Sequence, residues 1–183
     1  MVAEVSIEER FGPNRFDTGL KFKAYENNSH NVQLLNGNYL IIRYDMRGGK
    51  AFTKYLQRPF DPNFALAMKL TQEKISTSYR PDLSYSQSDE ISLIFLKTDI
   101  WSLRRDKILS VTASEVSVNF NLFFSNLSSP EKNVKPAVFD CKVFNVPTRD
   151  DCFDYLIWRN YYDNQANVIQ KIARQFYSVK RLR

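Results

Sequence analysis

The chain has too little cysteine and histidine for the sites that these residues usually build. Its 183 residues include two cysteines, Cys141 and Cys152, and one histidine, His30. The two cysteines match neither a disulfide framework nor a metal-binding spacing, and one histidine cannot supply a histidine-based zinc site. The sequence therefore predicts cysteines that serve as packing residues in a reducing compartment.

Long apolar runs are also missing. There is no run of 18 apolar residues and no charged start followed by an apolar leader, so we expect a cytoplasmic protein without a membrane span. Hydrophobic residues make up 43% of the chain, which suits one domain over residues 1–183. We predict an extension with a short helix in residues 1–38 and C-terminal helices in residues 148–183.

The charge balance is basic, with 26 Lys and Arg against 20 Asp and Glu and a net charge of +6. A positive protein of this kind suits a polyanionic partner such as a nucleic acid. Many basic proteins bind no polyanion, so the charge supports such a partner without identifying it.

Alternating apolar and polar residues from Leu83 to Phe95 predict a β-hairpin. The tip carries Gln87, Ser88, Asp89 and Glu90, so two carboxylates stand where a tight turn meets a buried strand. An acidic pair at a hairpin tip is most often solvated turn chemistry. The alternative is a metal site.

A second segment favours the metal site. Tyr39 to Asp45 predicts a strand that ends at an acid, and Asp61 followed by Pro62 predicts the start of a helix before the hairpin. In a split βαβ arrangement the end of the first strand lies beside the start of the strand after the tip, so Asp45 and Asp89 would meet. Convergent carboxylates of this kind hold two cations roughly 3.5–4 Å apart for in-line displacement at phosphorus, as in a polymerase palm.

Seven segments carry a family resemblance. They are LIIRYD ending at Asp45, RPFD at Arg58 to Asp61, YSQSDEISL at Tyr85 to Leu93, KILSVTAS at Lys107 to Ser114, AVFDCKVFNVP at Ala137 to Pro147, LIWRN at Leu156 to Asn160, and IARQFYSVKRL at Ile172 to Leu182. In this order the chain resembles the tRNA-histidine guanylyltransferase-like family of 3′-to-5′ polymerases, and within it the bacterial and phage-type members. Such proteins usually continue past the position of Arg183, which leaves a truncated and a minimal form as alternatives.

The resemblance implies a reaction and its cofactors. ATP or GTP would activate the 5′-phosphate of a tRNA or tRNA-like RNA, and an incoming nucleotide would then be added to that end. Two Mg²⁺ ions would be bound by Asp45, Asp89 and the backbone carbonyl of Met46, which stands where the family has glycine. Asp45, Asp89 and Glu90 would be catalytic, and the protein would form a homo-oligomer, a tetramer in the family.

The resemblance also implies nucleotide-binding residues, namely Arg47, Gly48, Gly49, Lys50, Arg58, Asp61 and Ser88. Setting it aside, the Arg47 to Lys50 run also fits a flexible surface turn, and Arg58 an ordinary solvated arginine. A basic cluster follows the hairpin at Arg104, Arg105 and Lys107. It suits phosphate or RNA binding, although charge runs are usually solvated faces; the resemblance adds Arg159 and Asn167 to this set.

The remaining elements complete a βαββαβ order. Ile108 to Phe124 alternates like a strand and also steps like a helix; we predict a helix, which completes this order and which the resemblance implies. Ala137 to Val146 predicts the fourth strand, and a last helix over residues 165–179 has an apolar face that we expect in the core. The fold class is α+β, a polymerase-palm-like antiparallel sheet with helices packed on one face and a C-terminal helix.

One departure from the family bears on the substrate. Members that add guanosine to histidine tRNA carry a His-Ile-Asn-Asn element that reads the anticodon, and Asp163 to Asn167 here lacks the histidine. We therefore predict templated repair of RNA 5′ ends. The alternatives are histidine-tRNA guanylyltransferase proper, a nucleotide cyclase, and a non-catalytic module of the RNA-recognition fold, whose aromatic signature is not present.

Overall fold

A four-stranded antiparallel sheet forms the centre of the structure. The computed structural model describes residues 15–28, 34–97, 100–128 and 135–177. The strands are β1 (Tyr39–Met46), β2 (Leu83–Gln87), β3 (Glu90–Phe95) and β4 (Phe139–Val146), and the helices are α1 (Arg15–Asn28), α2 (Gly49–Phe52), α3 (Pro62–Tyr79), α4 (Arg105–Leu127), α5 (Arg149–Ile157) and α6 (Gln165–Phe176). A π-helical segment, Trp158–Asn164, joins α5 to α6. Much of the predicted N-terminal extension, and the chain after Tyr177, lie outside the described residues.

The sheet has the strand order β2-β3-β1-β4, and every neighbouring pair is antiparallel. Together with α3 and α4 this gives the predicted βαββαβ order and confirms the α+β palm-like fold. The register places Asp45 opposite Glu90 on one side and opposite Asp140 on the other. One end of the two central strands therefore carries a row of carboxylates.

The start of α3 follows directly from its sequence. The Asp61 side chain accepts a hydrogen bond from the Phe64 amide at 2.9 Å, and Pro62 occupies the first turn, where its missing N–H costs nothing. The helix ends where Arg80 adopts a left-handed conformation, φ 50°. The predicted N-cap and first helical residue are thus confirmed.

The segment with two possible periods forms the helix α4. Its buried residues recur every four positions, at Ile108, Thr112, Val116, Phe120 and Phe124. This spacing lies on one helical face, which packs with α3 against one side of the sheet. The alternation that local propensity favoured as a strand was therefore coincidental.

A second helical layer covers the opposite side of the sheet. Phe22 of α1, Tyr155 of α5 and Trp158 pack together against Ile41 of β1 and residues of β3 and β4. The sequence had placed the helices on one face only; apolar residues on both faces of the central strands require both to be covered. Among the described helices, none is long and apolar enough to cross a membrane.

The C-terminal helix α6 departs from expectation. Its apolar face was expected in the core, but Ile169 is 64% exposed and Phe176 is 75% exposed. The helix continues directly from the π-helical segment, and its polar residues line a cavity instead of its apolar residues joining the core. Its periodicity identified an amphipathic helix correctly, whereas the surface it packs on depends on where the preceding segment directs it.

Candidate functional site

Two carboxylates that are 44 positions apart by number meet at one end of the sheet. Asp45 is the penultimate residue of β1, and Asp89 lies in the two-residue turn between β2 and β3. The Met46 amide donates a hydrogen bond to the Asp89 carbonyl at 3.1 Å, which ties the turn to the end of β1. The split βαβ arrangement therefore produces the predicted juxtaposition.

The electrostatics of this end of the sheet are unfavourable for a bare carboxylate. Burial, with the neighbouring charges of Glu90 and Asp89, raises the pKa of Asp45 from its ordinary 3.8 to about 6, and only Arg43 opposes this. Arg43 is itself buried and lies two residues before Asp45, on the same face of the strand. Negative charge thus exceeds positive charge around Asp45.

The glycine pair after β1 lets the chain approach Asp89 closely. Gly48 adopts φ 73°, a left-handed conformation that favours glycine, and its carbonyl accepts the Ala51 amide at 2.8 Å to start α2. A Cβ atom on Gly49 would lie 1.8 Å from Asp89 Oδ2. Only glycine therefore fits beside this carboxylate in its present position.

The carboxylates of Asp45 and Asp89 suit a hard divalent cation whose remaining coordination positions are filled by a bound substrate. Among the described residues, no three carboxylates, thiolates or imidazoles converge into a complete metal cage. Mg²⁺ is commonly held by one or two carboxylates together with substrate phosphates. Asp45 and Asp89 match that pattern, and the excess negative charge at Asp45 is what a cation would neutralise.

Glu90 is engaged in an internal ion pair. Arg159 of the π-helical segment is 5% exposed, and its guanidinium pairs with the Glu90 carboxylate and, at 2.8 Å, with Asp163. The structure thus places Arg159 behind the carboxylate row, whereas the resemblance assigned it to phosphate or RNA contact. Separating the two partners would leave an uncompensated buried charge. The ion pair therefore holds the Glu90 side chain in this position.

A cavity of about 550 Å³ opens beside the Asp89 turn. Its wall is formed by α3, the segment before it, the hairpin turn and α6. The lining includes six basic side chains, Lys50, Lys54, Arg58, Lys69, Lys171 and Arg174, and one carboxylate, Asp61. Asp61 accepts backbone amides of Gln57 and Phe64 and so serves the helix cap. The cavity is therefore suited to an anionic ligand.

The predicted nucleotide-binding residues divide between this cavity and the end of β1. Lys50, Arg58, Asp61 and Ser88 line the cavity, and so does Asn167, which was assigned to RNA contact. Arg47 is exposed at the strand end, where its backbone amide donates to the Val138 carbonyl at 2.8 Å.

The basic cluster after the hairpin occupies the first turn of α4. Arg104 and Lys107 are exposed; Arg105 is partly buried and lies 3.7 Å from the Asp106 carboxylate. The Lys107 ammonium lies 5.2 Å from the centre of the Trp101 ring. None of these three cations belongs to the cavity wall formed by the described residues.

Sequence reasoning missed four cavity lysines and arginines and one strand residue. Lys54, Lys69 and the α6 pair Lys171 and Arg174 come from three separate elements, and no local pattern connects one element to another. Arg43 could have been found, because the period of two along β1 puts it on the face of Asp45.

Known proteins place this geometry in a family. A family model described as tRNAHis guanylyltransferase matches residues 20–147. An uncharacterized protein of Acanthamoeba polyphaga mimivirus is 28% identical over 171 residues, covering 80% of this chain and 59% of that protein. The chain spans about half the length of the curated relatives it matches.

Solved structures agree with the family match. A bacterial tRNA(His) guanylyltransferase-like protein in complex with GTP superposes with a TM-score of 0.72 at 27% identity, covering 88% of this chain and 78% of that one. A bacterial tRNA(His) guanylyltransferase-like protein in complex with ATP superposes with a TM-score of 0.74 at 28% identity, covering 89% of this chain and 71% of that one. With well over half of its residues matched by the family model, the chain belongs to the tRNAHis guanylyltransferase family.

Proposed function

We propose that this chain is a 3′-to-5′ nucleotidyltransferase that adds nucleotides to the 5′ end of a tRNA or tRNA-like RNA. The observation that carries the proposal is the basic cavity beside the turn where Asp89 meets the end of β1. Its volume falls within the range of about 300–1,000 Å³ that is usual for small-molecule sites. The structures bound to GTP and ATP support a nucleoside triphosphate as the ligand.

The reaction implied by the family has two transfers. In the first, an oxygen of the RNA 5′-phosphate attacks the α-phosphorus of ATP or GTP, and pyrophosphate leaves. In the second, the 3′-hydroxyl of the incoming nucleotide attacks the activated 5′-phosphorus, and AMP or GMP leaves. On a triphosphorylated RNA, the second transfer alone suffices and pyrophosphate leaves.

Each group at the sheet end has a role in this scheme. Asp45 and Asp89 would bind two Mg²⁺ ions, which in such enzymes lower the pKa of an attacking hydroxyl and neutralise the leaving group. Glu90, held by Arg159, would support the second ion or the proton transfer. Lys50 and Arg58 bind phosphates, and Gly48 and Gly49 let the backbone approach them.

The missing histidine in Asp163 to Asn167 supports 5′-end repair as the specific role. Without a residue to read the anticodon, specificity would come from base pairing against the 3′ side of the acceptor stem, while the protein holds mainly phosphates. Histidine-tRNA guanylyltransferase proper is the competing activity.

The test is label transfer from ATP to a 5′-monophosphorylated RNA in Mg²⁺, followed by extension of 5′-truncated tRNAs with different anticodons. Repair predicts similar rates on all truncated acceptors, each stopping when the stem is complete. A strong preference for full-length histidine tRNA, dependent on its anticodon, would replace repair by guanylyl addition. Metal-dependent turnover of ATP without any RNA labelling would point to a cyclase.

The non-catalytic RNA-recognition alternative finds no support in the fold. That mode of binding stacks bases on aromatic side chains of an open sheet face. Here the interior residues of β1 and β3 are buried on both faces, by α3 and α4 on one side and by α1 and α5 on the other.

A further inference from the structure

A lysine from the C-terminal helix reaches the turn that carries Asp89. Lys171 Nζ donates a hydrogen bond to Ser88 Oγ at 2.8 Å, although the two residues are 83 positions apart. The same ammonium lies 6.0 Å from the centre of the Phe60 ring. Ser88 and Phe60 both line the cavity, and Ser88 precedes Asp89 in the turn, so Lys171 lies in the part of the cavity wall next to that turn.

This ammonium retains capacity for an anion. A lysine has three donors, and among the described residues Ser88 is the one hydrogen-bond partner of Lys171. No carboxylate pairs with Lys171 among them, whereas Lys69, also in the wall, lies 3.7 Å from Glu73. Lys171 is therefore placed to meet the part of a ligand that extends from the cavity towards Asp89.

The position of α6 is set by contacts between the π-helical segment and the hairpin. Arg159 pairs with Glu90 of β3, and the Tyr85 hydroxyl of β2 donates to Asn160 Oδ1 at 3.0 Å. A π-helical turn changes the rotation of the helix that follows it and often occurs at functional sites. Both hairpin strands thus anchor the segment that orients α6.

Anchored in this way, α6 turns its polar side towards the cavity. The residues that it contributes to the wall are Asn167, Val168, Gln170, Lys171 and Arg174. Exposed apolar residues, Ile169 and Phe176 among them, lie on its other side.

We propose that Lys171 is a polyphosphate-binding residue of the nucleotide site, and that α6 is the wall which brings it there. This inference rests on the proposed function, because it assigns the anion at Lys171 to the phosphates of the nucleoside triphosphate. In the complex, the ammonium binds phosphate oxygens together with Lys50 and Arg58, and the nucleoside occupies the rest of the cavity.

The experiment measures binding of ATP in Mg²⁺ and of adenosine to the full chain, with no RNA present. The variants are Lys171→Met, which removes the charge, and Lys171→Arg, which keeps it. Lys74→Met is the matched control, because Lys74 is an exposed lysine of α3 outside the cavity wall and its loss changes the net charge equally.

We expect Lys171→Met to weaken ATP binding about tenfold, the loss of one charge-assisted hydrogen bond. Adenosine, measured as a competitor, should change less than twofold, Lys171→Arg should keep most of the ATP affinity, and Lys74→Met should match the wild type. Unchanged ATP affinity in Lys171→Met, or failure of Lys171→Arg to restore it, would overturn the assignment of Lys171 alone. A wild-type chain that binds no ATP would overturn the nucleotide site itself.

Discussion

The crowding of carboxylates at the end of β1 predicts that neutralising Asp45 makes the fold more stable. The pKa of Asp45 is raised from 3.8 to about 6, so the folded chain prefers its protonated form. A group with a raised folded pKa destabilises the fold progressively as pH rises from the unfolded value through the folded one. Asp45→Asn removes that penalty, which is largest above pH 6.

The magnitude follows from the same two values. The gap between 3.8 and about 6 corresponds to about 3 kcal/mol at full effect. Because Asp45 is half-buried, solvent screening reduces this to about 1 kcal/mol. We therefore expect Asp45→Asn to gain about 1 kcal/mol in unfolding free energy at about pH 8 and little at about pH 4.

The assay is urea unfolding across this pH range in the presence of a chelator. Asp106→Asn is the matched control, since Asp106 is an exposed carboxylate of α4 that does not contribute to the raised pKa of Asp45. Adding Mg²⁺ and ATP should stabilise the wild type more than Asp45→Asn, because binding to the folded state adds to its stability. A variant less stable than the wild type at about pH 8, or a gain independent of pH, would refute the electrostatic reasoning.

Three further predictions concern activity. Asp89→Asn should abolish label transfer to RNA with unchanged circular dichroism, and near-normal activity in Mg²⁺ would contradict its role as a metal ligand. Gly49→Ala should displace the Asp89 carboxylate and reduce label transfer at least tenfold. Its free energy of unfolding should stay close to that of the wild type, because the clash is with a movable side chain. Gly19→Ala is the control, because a Cβ atom there would make only an ordinary van der Waals contact. The Arg104→Ala, Lys107→Ala double variant should raise KM for nucleotide or RNA at least tenfold, from the loss of phosphate contacts worth about 1.5–3 kcal/mol each; an unchanged KM would leave the cluster as a solvated face.

Elements whose signals are local could be predicted from the amino-acid sequence. Asp61 and Pro62 fix the start of α3 because a cap and a missing amide act within one turn. The hairpin around Ser88 and Asp89 could be predicted equally well, because the alternation of apolar and polar residues defines both strands and the turn between them. With the βαββαβ order, these signals predict that Asp45 lies beside the turn.

Features that join distant parts of the chain depend on the tertiary fold and could not be predicted from the sequence. The contact of Lys171 with Ser88 spans 83 positions and that of Arg159 with Glu90 spans 69, and no local propensity extends so far. For the same reason the second helical layer and the exposed apolar face of α6 could not be predicted. Periodicity identifies which side of a helix is apolar, but whether a neighbour covers that side depends on the topology of the whole chain.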